Sequence, residues 1–191
     1  MKKTHLTLLI ITAIMALFSA YSLAAMNQVY MIGFEWYSQY NNQYMGEYRE
    51  TDRDRWQLGN YPEHMRFDIA GNDREFAMLK SKYSFSESKA FNPEVDFDKY
   101  ILMGCTLGDV YSPEYRVKII DIAQRGNVVE IKVSVSSPAK IGEMSSSSEY
   151  RYTPMDIVRI DKAAFPEKGK LCFIFKNQDG SPLFETYYDV E

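Results

Sequence analysis

The sequence predicts a mainly β protein, an antiparallel β-sandwich or partly open barrel with one short N-terminal helix. Three observations lead there. Apolar and polar residues alternate around Tyr115, Val117 and Ile119, and again through Val129, Ile131, Val133 and Val135, the period-two pattern of half-buried strands. Turn signals at Arg125-Gly126-Asn127 and at Asp179-Gly180 join such runs, since Gly and Asn tolerate positive φ. Only one segment, opened by Asn72, carries a convincing helical spacing. With 191 residues, 46% hydrophobic and 25% charged, the chain is long and apolar enough to bury a core and is neither collagen nor coiled coil.

Taken in chain order, Lys2 and Lys3 precede an apolar run from Leu6 to Ala20, and Ser22-Leu23-Ala24 offers small residues where a signal peptidase reads. These are the parts of a secretory signal peptide, with cleavage after Ala24. The run is too short for a membrane anchor and no basic cluster follows it. Cleavage removes Lys2 and Lys3 and no acid, leaving 20 basic against 26 acidic residues and a net charge of −6. An exported, acidic chain of this kind, secreted or held in the periplasm or cell envelope, is a poor nucleic-acid partner. No membrane span is expected after cleavage.

Val29 to Trp36 reads as the first strand, rich in aromatic and β-branched residues. From Tyr37 to Tyr61 the chain turns polar but stays aromatic, and Glu47 to Arg55 reads as a solvated charge run. Asn72 and Glu75 have capping-box spacing, and Phe76, Leu79 and Tyr83 share one helical face. Tyr100 to Cys105 is the next strand, followed by the two alternating strands already described. Ser145 to Ser148 reads as a loop, and Pro154 is expected to interrupt the chain before Ile157, Val158 and Ile160. Leu171, Phe173 and Phe175 pair across Asp179-Gly180 with Leu183, Phe184 and Tyr187 in a final hairpin.

Chemistry is sparse. His64 is the one histidine left after cleavage, and its loop-like setting, Tyr61-Pro62-Glu63-His64, offers no serine or cysteine partner of the kind nucleophilic catalysis needs. A hydrolase working through paired carboxylates is the remaining enzyme reading, and 26 acids make chance pairs uninformative. Glu94, Asp96 and Asp98 alternate, which in an extended chain would place three carboxylates on one side as a weak cation site, although no EF-hand glycine follows. Cys105 and Cys172 both lie in apolar runs. An oxidising compartment allows them to pair, and burial as two free thiols is the other outcome. Trp36, Tyr37, Tyr40, Tyr44 and Trp56 are the binding candidates: such rings stack on sugars, anchor protein interfaces, or cover the fold's own core. No cofactor signature is present.

Between Val95 and Lys162 a further order is visible. Val95-Asp96-Phe97 leads into an apolar strand and Gly108, then Ser112-Pro113-Glu114-Tyr115 opens an alternating strand. Asn127 to Val135 supplies its partner, ending in Ser137-Pro138, and Tyr152-Thr153-Pro154 with Ile157-Val158-Arg159-Ile160 closes the pattern. This order resembles the C-terminal domain of the protease complex subunit PrcB family of exported bacterial proteins, over about residues 95–162. One departure stands out: the family often has Gly where Glu114 precedes the tyrosine, so the turn at Pro113 must differ locally. The resemblance implies a partner of an extracellular protease rather than a protease, and it supplies no catalytic residues. The chain then divides into a signal peptide (1–24), a strand, aromatic-rich region and helix (25–92), and a β-rich PrcB-like domain (93–191). The function expected is that of a non-enzymatic exported accessory protein binding another exported protein, a protease among the candidates. A carbohydrate-binding module using the N-terminal aromatics is the alternative.

Overall fold

The computed structural model describes residues 28–45, 65–82, 94–108, 110, 114–136 and 150–191, together with Ile11, Ile14 and Met15. The elements are β1 (Tyr30–Met31), β2 (Glu35–Met45), β3 (Arg66–Ala70), α1 (Asp73–Lys82), β4 (Tyr100–Thr106), β5 (Arg116–Arg125), β6 (Val128–Ser136), β7 (Tyr150–Asp161), β8 (Gly169–Lys176) and β9 (Pro182–Val190). They form two sheets, one ordered β1-β5-β6-β8-β9 and the other β2-β7-β4-β3. The fold is the expected mainly β one, and the sheets make a sandwich rather than a closed barrel.

The inner faces of both sheets share one core. Val117, Ile119, Ile131, Phe173 and Phe175 of the first sheet pack with Phe67, Ile101, Met103, Val158 and Ile160 of the second. Each such fully buried side chain contributes roughly 1.5–3 kcal/mol of hydrophobic free energy. The second sheet's outer face is covered by α1, where Phe76 and Leu79 meet Ala70, Leu102, Met155 and Ile157. Burial on both faces explains why β4 reads as a nearly continuous apolar run instead of an alternating one.

Helix α1 starts where the capping box places it. The Glu75 N–H donates to Asn72 Oδ1 at 2.9 Å, and Glu75 Oε2 reaches back to accept from the Gly71 N–H at 2.8 Å. Phe76 and Leu79 are buried as expected, while Tyr83 lies outside the described residues. Replacing Asn72 with Ala should cost about 1 kcal/mol. Thermal unfolding should show this as a fall of about 2–4 °C; an unchanged Tm would mean that the cap carries no stability.

Several expectations are corrected. The first strand is two strands: the chain leaves the first sheet after Met31, turns through Ile32-Gly33-Phe34, and enters the second sheet at Glu35. Ile32 anchors this corner, buried and donating its N–H to the Ile122 carbonyl at 2.8 Å. The polar stretch from Tyr37 continues as strand for nine residues, paired along β7. Pro154 does not interrupt β7. It lies one residue beyond the β4 ladder, which ends at Thr106 opposite Met155, and its carbonyl accepts from Thr106 Oγ1 and the Leu107 N–H. The pairing is not wholly antiparallel either: β7 crosses to the other sheet between β6 and β8, so β8 returns beside β6 in parallel. β1 shares the first sheet, and β2 and β3 the second, with strands that follow residue 93.

The hairpins match expectation. β5 and β6 are joined by Gly126 and Asn127 with Arg125 opposite Val128, and Gly126 has φ +56°. β8 and β9 are joined through Asn177 to Ser181, with Gly180 at φ +90°.

Candidate functional site

The corner at which the chain changes sheets exposes large apolar side chains. Met31 of β1 is 64% exposed and Trp36 of β2 is 59% exposed, while Ile120 of β5, Val29 and Tyr30 are also open to solvent. Their strands meet here: Tyr30 and Met31 pair with Gln124 and Ala123 of β5, and Lys118 of β5 places its Nζ 3.9 Å from the Trp36 ring centroid. Two bulges shape the corner. The β5 register shifts between Ile119 and Asp121, which sets Ile120 outside the ladder. The β2 register shifts between Trp36 and Ser38, which inserts Tyr37 as an extra residue. Extra residues of this kind re-aim side chains. On the other, helix-side face of the second sheet, Arg159 pairs with Glu35, a contact that raises the Arg159 pKa, and its guanidinium lies 4.5 Å from the Tyr100 ring centroid.

Behind Ile120, a buried carboxylate ties the sheets together. Asp156 of β7 is 0% exposed, and its Oδ2 accepts from the Ile119 N–H of β5 at 2.7 Å. Its Oδ1 has no hydrogen-bond partner among the described residues. Burial raises the Asp156 carboxyl to about 6, against the opposing pull of the Ile119 N–H and the Lys118 charge. Cys105 stands opposite Asp156 in the β4–β7 register, and burial pushes its thiol well up. Both groups are sealed from solvent, which suits a structural tie and leaves a substrate no access.

The residues singled out in the sequence are scattered by the fold. Trp36 is at the corner, but the bulge separates it from Tyr37, which is half-buried on the helix side with its ring edge-on to Phe76 (6.2 Å, 79°). Tyr40 and Tyr44 lie on β2, and only their backbone is described; Trp56 and His64 are outside the described residues. Cys105 and Cys172 are both buried free thiols, so the disulfide alternative is corrected. Cys105 belongs to the core between the sheets. Cys172 alternates with the inward Leu171 and Phe173 and meets Glu185 Oε1 at 3.5 Å, so its thiol lies on the other face of its sheet. Glu94, Asp96 and Asp98 are not on one side of an extended chain. The segment is a turn in which Asp96 Oδ1 accepts from the Asp98 N–H and the Asp96 carbonyl accepts from Lys99 and Tyr100. Among the described residues no group of three or more His, Cys, Asp or Glu side chains is placed to hold a metal ion.

Met31, Lys118, Ile120 and Asp156 were not read as site residues from the sequence. A signal existed for two of them: Ile119-Ile120 breaks the alternation of β5, as a bulge does, and Asp156 is a lone acid within Met155-Asp156-Ile157-Val158. Comparison with known proteins returns no matching family model, no matching curated protein and no matching solved structure.

Proposed function

We propose that this chain is an exported, non-catalytic β-sandwich that binds another exported protein through the Trp36 corner. The observation that carries the reading is the corner itself: a tryptophan, a methionine and an isoleucine exposed on three adjoining strands, with one lysine over the indole. Aromatic and methionine side chains are the usual anchors of protein interfaces, and gathered apolar exposure marks a docking surface. The leader-like N-terminus favours export, and the PrcB resemblance suggests an extracellular protease as the partner class. Among the described residues no helix is long and apolar enough to cross a membrane. A sugar platform would favour Trp36 and Tyr37 side by side, whereas Tyr37 packs on Phe76.

The test is Trp36→Ala in the mature chain, used as bait against the secreted and envelope fractions of its own cells. Loss of an interface tryptophan should weaken capture of the partner by roughly 30-fold or more, the scale of a 2 kcal/mol hot spot. Stability should change by no more than about 1 kcal/mol, because Trp36 contributes a surface cation–π contact and no core packing. Equal capture by both proteins would overturn the proposal. Glycan-array binding that disappears with Trp36→Ala would move the reading to carbohydrate.

A further inference from the structure

The lysines on the outer face of the first sheet are largely matched by acids on neighbouring strands. Lys132 stands opposite Asp121, Lys170 stands opposite Asp189, and Lys176 Nζ lies 2.7 Å from Glu130 Oε1. Opposite charges so placed steady adjoining strands and cancel much of each other's field. Arg116 and Lys118 of β5 are placed differently. They stand opposite Ser136 and Ser134, and among the described residues neither forms an ion pair. Residues two apart on a strand share a face, so both cations lie on the outer side, with Val117 and Ile119 turned into the core. Lys118 places its Nζ 3.9 Å from the Trp36 ring centroid. Asp156 feels the Lys118 charge from inside the sandwich but is sealed from solvent.

We propose that the protein docked at the Trp36 corner presents an acidic segment, with a carboxylate seated on Arg116 and Lys118 and a large apolar side chain beside it on the indole. The inference rests on the protein-binding reading and adds the chemistry of the partner. Charge complementarity carries it. The chain holds 26 acidic against 22 basic residues, so two unmatched cations beside one exposed tryptophan are the reverse of its overall charge. Such a spot draws an acidic segment that the rest of the surface repels. Strand residues two apart are separated by about 6.6 Å, a span that the two oxygens of one carboxylate, or two neighbouring acids, can bridge. The apolar exposure of Trp36 and Ile120 selects a peptide over a purely charged polymer, which would hold the cations and leave the indole in water.

The test is selection of a random dodecapeptide display library on the mature chain, with counter-selection on Trp36→Ala. The peptides that need Trp36 should carry Asp or Glu next to an aromatic or large aliphatic residue. Arg116→Glu with Lys118→Glu should weaken the best of them at least about tenfold. Exchanging that peptide's acids for lysine should restore binding to the doubly substituted chain, which unfolding cannot do. Raising the salt from about 0.05 M to about 0.5 M should weaken the original pair, as expected of charges that meet near solvent. Peptides that need Trp36 but carry no acids, binding indifferent to the two substitutions, or a charge exchange without rescue would each overturn the acidic-partner inference and leave the docking reading standing. A library that yields no peptide dependent on Trp36 would overturn both. Binding of polygalacturonate or of vesicles containing anionic lipid, in place of acidic peptides, would assign the two cations to a polyanion and overturn the inference as well.

Discussion

Asp156→Asn is expected to remove a pH-dependent step in stability between about pH 4 and pH 6. The carboxyl titrates at 3.8 in the unfolded chain and at about 6 when buried in the fold. Between those values the native protein holds a proton that the unfolded chain has released, so the contribution to stability is full below pH 4 and is lost as pH rises through 6. A shift of this size corresponds to about 3 kcal/mol. Asparagine cannot ionise and keeps an oxygen for the Ile119 N–H that Asp156 Oδ2 now accepts at 2.7 Å. The stability of the unmodified chain should therefore fall relative to that of the variant by about 3 kcal/mol between pH 4 and pH 7. Urea unfolding at four pH values measures this, and parallel curves would show that Asp156 is not a buried titrating group. Asp156→Ala should instead destabilise at every pH, because it orphans the Ile119 N–H inside the sandwich.

The second large effect is Gly71→Ala. A Cβ at this position would stand 2.1 Å from the Tyr188 hydroxyl oxygen and 3.1 Å from its Cζ. Tyr188 has little freedom to retreat. Its hydroxyl donates to Glu75 Oε2 at 2.8 Å, its ring meets Phe173 edge-on at 6.3 Å, and it packs against the core between the sheets. Glu75 Oε2 also accepts the Gly71 N–H, so one close approach links β9, the start of α1 and the end of β3. The substitution combines overpacking with loss of a hydrogen bond to a carboxylate and should cost roughly 3 kcal/mol. Tm should then fall by roughly 6–12 °C. Tyr188→Phe removes the clashing oxygen, so the double variant should be more stable than the sum of the single effects predicts. Strict additivity would mean that Gly71 and Tyr188 do not share this contact.

Local order explains what the sequence made legible. The hairpins at Gly126-Asn127 and Asp179-Gly180, and the cap at Asn72 with Phe76 and Leu79, are written in neighbouring residues and appear as read. Features set by distant partners were not legible. β2 lacks an apolar alternation, and its place is set by a distant partner: it pairs along β7, the one strand beside it among the described residues. β3 is five residues long, Arg66-Phe67-Asp68-Ile69-Ala70, too short for its alternation to stand out from its polar neighbourhood. The parallel pairing of β6 with β8 follows from the excursion of β7 to the other sheet, which no local pattern encodes. Trp36 was named from its chemistry, but Lys118 of β5 comes to lie over its ring only through the fold, and the exposure of Ile120 follows from the β5 bulge.

The central claim, that the Trp36 corner docks another exported protein, is tested most directly by cross-linking at Lys118. This lysine sits over the Trp36 ring, so whatever covers the indole comes within reach of its amine. Mass spectrometry on the native secreted or envelope fraction should find Lys118 joined to a different exported protein, with a protease the expected class, and the link should vanish with Trp36→Ala. A Lys118 without foreign cross-links, in a fraction where other lysines of the chain do capture a partner, would contradict the account.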